Sequence, residues 1–147
     1  MDIDRDAAVI SRHRVEIDAP LDVVWGLHTD IAGWTSWQPE ITEAAIGDGG
    51  FAPGATFSWL THGLSITSTV HDVEPPHRTC WGGPAHGITG VHEWTFEEVA
   101  GRVVVTTEES WDGEPVRADV TAMKAALDAS LISWLGHLKA AAERAAG

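Results

Sequence analysis

A histidine and a glutamate in the second half of the sequence have the spacing of a pair that could transfer protons. Two alternating segments flank Ala100-Gly101, and if these two residues form a tight turn, His92 lies directly opposite Glu109. Both side chains then share the more apolar face of the two strands with Trp94. Burial opposes charge on each group while the partner favours it, so the pair could hold a proton with a shifted pKa. The pattern predicts His92 and Glu109 as catalytic residues that face an internal cavity.

Two alternatives to an acid–base pair remain open from the same residues. His92 and Glu109 can simply satisfy each other's hydrogen bonds across two strands, as buried polar groups generally do. A three-residue loop over Val99-Ala100-Gly101 would shift the register and place Glu108 opposite His92. Glu108 inside and Glu109 in solvent would then overturn the predicted pair.

Other kinds of chemistry find little support in the sequence. Eight histidines are present, but they lack the paired spacing that zinc sites use. Cys80 lies in a predicted strand without a nucleophile motif, and no Gly-x-Ser-x-Gly elbow occurs. The glycine-rich segment 47–50 lacks the third glycine of a dinucleotide-binding loop. We therefore expect no metal, no cofactor, and a structural role for the Cys80 thiol.

Tryptophan is unusually frequent, because the chain has eight tryptophans and no tyrosine. Aromatic side chains dominate both hydrophobic cores and ligand pockets, so ordinary core packing is the alternative for each of them. Trp25 is expected in the core under the first helix. The residues expected to bind a ligand are the following tryptophans and leucines: Trp34, Trp37, Trp59, Trp81, Trp94, Trp134, Leu127 and Leu131.

The elements that position these residues follow from periodicity and turn residues. Residues 11–19 alternate between apolar and polar side chains and predict a strand, after which Pro20 favours a helix over 20–28. A second short helix is predicted over 31–37. Six more strands are predicted as a meander, over 41–46, 55–61, 64–73, 78–81, 88–98 and 102–111. His62-Gly63 has the residues of a two-residue hairpin turn, which pairs Trp59 with Ile66.

The last and longest predicted element is a helix over residues 117–146, where apolar side chains recur at helical spacing. At about 1.5 Å per residue it would reach roughly 45 Å, enough to cross a whole sheet. Together these elements predict a single α+β domain over residues 1–147, with a flexible tail of about ten residues at its start. A curved antiparallel sheet of about seven strands is expected to close around the long helix.

Composition and charge restrict the possible partners. With 22 acidic and 9 basic residues the formal net charge is -13, which repels phosphate backbones and anionic lipid headgroups. We therefore expect no nucleic-acid partner. No window approaches the roughly 18 consecutive apolar residues of a membrane span, and the first residues are acidic where a signal peptide is basic. We expect no membrane insertion, a cytoplasmic location, and either a monomer or a homodimer.

Two groups of motifs carry a resemblance that extends over nearly the whole chain. The first is the run 15–20, Val-Glu-Ile-Asp-Ala-Pro, followed by Val24-Trp25, Asp30, Trp34, Trp37 and Pro39. The second is Pro75-Pro76-His77-Arg78 with Trp81, then His92-x-Trp94 and Glu109-x-Trp111-x-Gly113. With this order of elements, the sequence resembles the START-related (SRPBCC) superfamily, and within it the polyketide cyclase/dehydrase-like branch. The resemblance implies the helix-grip fold.

The function implied by this resemblance stays open, because the same fold hosts enzymes, carriers, receptors and co-chaperones. The leading interpretation is binding of a hydrophobic, aromatic or polycyclic small molecule in an internal cavity. One alternative is a cyclase, aromatase or dehydratase that uses His92 and Glu109. Two others are a carrier or sequestering protein that confers self-resistance to a natural product, and a co-chaperone-like interaction module.

Overall fold

The computed structural model describes residues 2–147. Its strands are β1 (Val9–Ile17), β2 (Ile41–Ile46), β3 (Thr56–Thr61), β4 (Leu64–Glu74), β5 (Arg78–Ala85), β6 (Ile88–Val99) and β7 (Arg102–Asp112). Its α-helices are α1 (Leu21–Thr29), α2 (Glu114–Ala118) and α3 (Val120–Ala146), and a 3₁₀ helix spans Ile31–Ser36.

The seven strands form one antiparallel sheet in the order β1-β7-β6-β5-β4-β3-β2. Strand β1 therefore pairs with the last strand of the meander, and α1 with the 3₁₀ helix connects the two edges of the sheet. Helix α3 lies against the inner face, where Leu127 and Leu131 pack in one cluster with Val9 of β1. The predicted α+β fold, with a sheet of seven strands and a long C-terminal helix, is confirmed.

Tight turns fix the register of the two hairpins that matter for the site. His62 and Gly63 have φ angles of 50° and 76°, the left-handed values that a two-residue hairpin turn requires. The Ala100-Gly101 turn, with φ angles of 52° and 80°, has the same geometry. The predicted pairing of His92 with Glu109 is confirmed, as is that of Trp59 with Ile66. The alternative register is wrong, since Glu108 pairs with Glu93.

Strand β5 is longer than predicted. It continues past Trp81 through Gly82 and Gly83 to Ala85, where a third tight turn follows. The prediction ended the strand early because consecutive glycines before a proline usually mark a loop. Here Gly82 allows the backbones of β5 and β6 to approach closely, since a Cβ atom on this residue would overlap the carbonyl oxygen of Gly90 in β6.

The predicted C-terminal helix is divided in two. Asp119 has non-helical backbone angles and ends α2, and its carboxylate accepts a hydrogen bond from the Ala122 amide at the start of α3. An aspartate in this position satisfies one of the free amides of the first helical turn. The apolar periodicity continues through the break, which is why it alone could not reveal the cap.

The residues before β1 pack on the outer face of the sheet. Ile3 is buried in a cluster with Cys80 and Val91, and the amide of Asp4 donates to the Ser110 hydroxyl. The sequence predicts a flexible tail of about ten residues, whereas β1 already begins at Val9 and residues 3–5 contact the sheet. Met1 lies outside the described residues. Among the helices in residues 2–147, none combines the length and the apolarity needed to cross a bilayer.

Candidate functional site

A cavity of about 310 Å³ lies between the inner face of the sheet and helix α3. Glycines form part of its wall, because Gly82, Gly83 and Gly90 leave the backbone of two neighbouring strands uncovered. A Cβ atom on Gly90 would lie 3.4 Å from the Glu109 carboxylate. The missing side chain at residue 90 therefore makes room for Glu109 to lie over the sheet.

The His92–Glu109 pair lies on the wall of this cavity. The Nδ1 atom of His92 is 3.3 Å from Oε1 of Glu109, and the Trp111 indole donates a 2.8 Å hydrogen bond to Oε2. His92 is fully buried, whereas the Glu109 side chain keeps 17% of its surface exposed. Glu109 is thus the member of the pair that a molecule in the cavity can reach.

A hydroxyl completes the hydrogen bonding of His92 on the side away from the cavity. Its Nε2 atom is 2.6 Å from the Thr107 hydroxyl, which in turn donates to the carbonyl of Glu93 at 3.1 Å. In that arrangement Nε2 carries the imidazole proton, and the unprotonated Nδ1 faces the Glu109 carboxyl at 3.3 Å.

A second placement of the hydrogens fits the same heavy atoms. If the Thr107 hydroxyl rotates to donate to Nε2 of His92, the imidazole proton moves to Nδ1. The protonated Nδ1 then faces an ionised Glu109 at 3.3 Å, and the other carboxylate oxygen still accepts from Trp111. Both placements of the hydrogens are compatible with the observed positions of Thr107, His92 and Glu109.

Burial controls the ionisation of both partners. It raises the pKa of the Glu109 carboxyl from 4.5 to about 7, although the Trp111 hydrogen bond acts in the opposite direction. Burial also lowers the pKa of His92 well below 6.5, and the nearby His28 lowers it further. Desolvation thus outweighs the mutual attraction expected from the sequence, and the imidazole is neutral while the carboxyl titrates near neutral pH.

The predicted ligand-binding residues divide between the cavity wall and the core. Trp59, Trp81 and Trp134 line the cavity. Trp34 and Trp94 are fully buried in the core, and Trp37 lies outside the lining. The structure also adds Trp111, which the sequence analysis noted only in a family motif.

The leucines predicted at the ligand site lie on a neighbouring stripe of helix α3. Leu127 and Leu131 pack with Val9 and Val116, while Ser130 and Ala126 line the cavity about one turn and two turns before Trp134, respectively. Apolar periodicity indicates which stripe of a helix is buried and gives no signal for small residues beside a cavity. The spacing of four from Trp134 is the only sequence signal that could have identified Ala126 and Ser130.

A carboxylate also lies at the edge of the cavity near helix α3. Glu40, in the loop before β2, accepts a hydrogen bond from the Ser133 hydroxyl. Its carboxylate is 3.4 Å from Nε2 of His62 in the β3–β4 turn and 3.8 Å from Nε2 of His137. This cluster joins three segments that are distant in the sequence, so no local motif could have predicted it.

Two further titratable side chains are buried away from the cavity. Nε2 of His28 is 2.8 Å from the Thr79 hydroxyl, its Nδ1 has no partner, and burial lowers its pKa to about 3. Burial raises the pKa of the Cys80 thiol to about 11, which keeps it protonated and unreactive at neutral pH. Within residues 2–147, no group of three or more His, Cys, Asp or Glu side chains is arranged to hold a metal ion.

A seven-stranded antiparallel sheet with a long C-terminal helix and a cavity between them defines a ligand-binding protein of the helix-grip class. The chain belongs to the family described as "Polyketide cyclase / dehydrase and lipid transport", whose sequence model matches residues 8–143. Comparison with curated proteins gave no match.

Solved structures share this fold at low sequence identity. A hypothetical protein from Helicobacter pylori matches with a TM-score of 0.82 and 19% identity, covering 94% of this chain and 90% of that one. A START superfamily protein from Mycobacterium smegmatis matches with a TM-score of 0.74 and 12% identity, over 92% and 97% of the two chains. The di-domain ARO/CYC BexL from the BE-7585A biosynthetic pathway matches with a TM-score of 0.70 and 20% identity, over 94% of this chain and 52% of BexL.

Proposed function

We propose that the protein binds a hydrophobic aromatic or polycyclic small molecule in the cavity between the sheet and α3. The observation that carries this proposal is a mostly apolar cavity wall with a limited number of polar groups, among them His92 and Glu109, which is the usual composition of a small-molecule site. Its volume of about 310 Å³ is near the lower end of the range for such sites, roughly 300 to 1,000 Å³. A ligand of two or three fused rings fits that volume better than a long chain.

The proposed ligand would contact indole rings and one titrating carboxyl. Trp59, Trp81 and Trp134 offer large rigid surfaces whose burial against an apolar ring is favourable. Glu109 supplies the polar contact that would orient the ligand, because its carboxylate is the exposed member of the pair. Membership of a polyketide cyclase and lipid transport family supports a ligand of this class.

Isothermal titration calorimetry with 2-naphthol tests this proposal. Ser130→Phe places a ring in the cavity and should weaken binding at least tenfold, because Ser130 lines it. Ile132→Phe is the matched control, since Ile132 is 57% exposed on the same helix and lies outside the lining. The proposal fails if both variants bind like the unmodified protein.

Enzymatic proton transfer is the second candidate function, and the titration of Glu109 favours it. A general acid or base works best when its pKa is close to the working pH, and burial brings that of Glu109 to about 7. Glu109 in ionised form could take a proton from the carbon beside a ligand carbonyl and return it later. The ARO/CYC description of BexL is consistent with such a step.

Deuterium exchange at the α-carbon of 2-tetralone, followed by NMR in D₂O, tests the enzymatic candidate. Catalysed exchange above the buffer rate should be lost in Glu109→Gln and reduced in His92→Ala, while calorimetry shows that 2-tetralone still binds. Exchange that is equal in the unmodified protein and in both variants would exclude the pair from catalysis. If 2-tetralone binds but its deuterium exchange is not catalysed, the result would favour a carrier over an enzyme.

A further inference from the structure

The charge of the cavity wall is one-sided. Among the described residues that line the cavity there is no lysine and no arginine, whereas two carboxylates, Glu40 and Glu109, are present. An anionic ligand would lose its hydration without meeting a fixed positive charge, which is costly in a buried site. The chain as a whole carries a formal net charge of -13 and would repel such a ligand during its approach.

The aromatic part of the wall favours a cation. Four indole rings line this cavity: Trp59, Trp81, Trp111 and Trp134. The face of an indole ring attracts positive charge, and the attraction grows when water is excluded. Sites built from several aromatic rings are a recurrent means by which proteins bind ammonium groups.

Glu109 can become ionised without any rearrangement of heavy atoms. When the imidazole proton of His92 moves to Nδ1, the Glu109 carboxylate accepts a hydrogen bond from Trp111 and has the protonated Nδ1 of His92 3.3 Å away. One of its oxygens still borders the cavity, above the bare backbone of Gly90. A positive charge in the cavity would favour this ionised arrangement over the neutral one.

Resting on the proposed function of this cavity, we propose that its ligand is an aromatic amine, with the ammonium group against the Glu109 carboxylate and the rings against the lining indoles. The ammonium group replaces the proton that Glu109 holds in the free protein. Neutral aromatic molecules of the same shape bind more weakly, and aromatic carboxylates bind weakest.

Three compounds of nearly equal size test the charge preference by calorimetry: 2-naphthylmethylamine, 2-naphthylmethanol and 2-naphthoate. The amine should bind at least tenfold more tightly than the alcohol at pH 7, and the naphthoate should bind more weakly than both. Equal affinities for amine and alcohol, or tighter binding of the naphthoate, would overturn the charge preference. Failure of all three compounds to bind would contradict the proposed function as well.

Substitution of each carboxylate separately identifies the group that receives the amine. Glu109→Gln should bring the affinity for the amine to within about threefold of the affinity that the same variant has for the alcohol. Glu40→Gln is the matched control, because it removes a second carboxylate at the cavity edge, and it should retain most of the amine preference. The assignment to Glu109 is wrong if Glu40→Gln removes the preference and Glu109→Gln keeps it.

The number of protons released on binding independently tests whether the ammonium group replaces the proton of Glu109. At pH 6, titrations in buffers of different ionisation enthalpy should detect close to one proton released per amine bound and none per alcohol. His92 on β6 faces Glu109, and Ser11, its partner on β1, accepts a hydrogen bond from the Lys124 ammonium group, which also pairs with Asp128. Glu40, His62 and His86 lie at the cavity edge. Proton release that persists in Glu109→Gln would overturn the proposal.

Discussion

Two buried histidines contact Trp94 and have almost the same surroundings on one side. The ring centroids of His28 and His92 lie 4.8 and 5.0 Å from that of Trp94. Each Nε2 atom is close to a threonine hydroxyl, Thr79 at 2.8 Å and Thr107 at 2.6 Å. Both histidines are buried, and burial lowers the pKa of both.

The two regions differ in what faces the other ring nitrogen. Nδ1 of His28 has no partner and its ring packs among aromatic side chains, including Phe51 and Phe96. Nδ1 of His92 faces Glu109, which lies at a cavity because residue 90 has no side chain. The comparison indicates that one buried histidine stabilises the core while the other holds a carboxyl that a ligand can reach.

Removal of each imidazole should separate these roles and gives the largest expected effect. His28→Ala creates a hole in the packed core and should lower the free energy of unfolding by about 3 kcal/mol, with little effect on 2-naphthol binding. His92→Ala adjoins an existing cavity and should cost less, about 1 to 2 kcal/mol, but should change binding several-fold. Urea denaturation and calorimetry measure the two quantities. Equal losses of stability and binding in both variants would remove the distinction.

Opposite pH dependences should sharpen the same comparison. The pKa of Glu109 is raised in the folded protein from 4.5 to about 7, so its contribution to stability is complete below pH 4.5 and is lost as the pH rises through 7. Between pH 5 and pH 8, the free energy of unfolding of Glu109→Gln should therefore rise by roughly 2 kcal/mol relative to that of the unmodified protein. Urea denaturation at several pH values measures the difference. A gain that is independent of pH would contradict the raised pKa.

For His28 the direction is reversed. Its pKa falls on folding from 6.5 to about 3, so its stabilising contribution is present above pH 6.5 and is lost as the pH falls toward 3. Below pH 6.5, the free energy of unfolding should fall less steeply with decreasing pH in His28→Gln than in the unmodified protein. The two slopes should differ by about 1.4 kcal/mol per pH unit. The slope rather than the absolute stability is the readout, because glutamine also alters the packing. An unchanged slope would contradict burial of a neutral imidazole at this position.

Substitution of the two threonines that contact the buried histidines has the smallest expected effect but gives the most specific test. Thr79→Val and Thr107→Val each remove one hydroxyl partner of a buried histidine and should cost about 1 kcal/mol in stability. Only Thr107→Val should shift the pKa of Glu109, because only Thr107 is hydrogen-bonded to the imidazole that faces this carboxyl. A shift of equal size in Thr79→Val, measured by NMR, would show that this hydrogen bond has no special role.

Local rules predicted the pair itself. Ala100-Gly101 specifies a two-residue turn, and the alternation of β6 and β7 then brings His92 opposite Glu109 on the inner face. The sheet and the long helix follow from the same periodicities. Short-range patterns sufficed here because a hairpin brings together residues that are close in the sequence.

The cavity could not be predicted in the same way. Its wall depends on Gly82 and Gly83, whose pattern is typical of a loop, and on small residues of α3 that carry no apolar signal. The Glu40 cluster joins a loop, a hairpin turn and a helix, so its formation depends on the tertiary fold. Sequence patterns indicate which faces are buried, but the space left between two faces depends on how they pack.

The protonation of Glu109 tests the central claim most directly. With ¹³C-labelled glutamate, and Glu109→Gln to assign the signal, NMR should give the Glu109 carboxyl a midpoint near pH 7 in the free protein. Saturation with a cavity ligand should move that midpoint by at least half a pH unit. A midpoint near 4.5 that stays the same with ligand would contradict the claim that this carboxyl is a desolvated part of the ligand site.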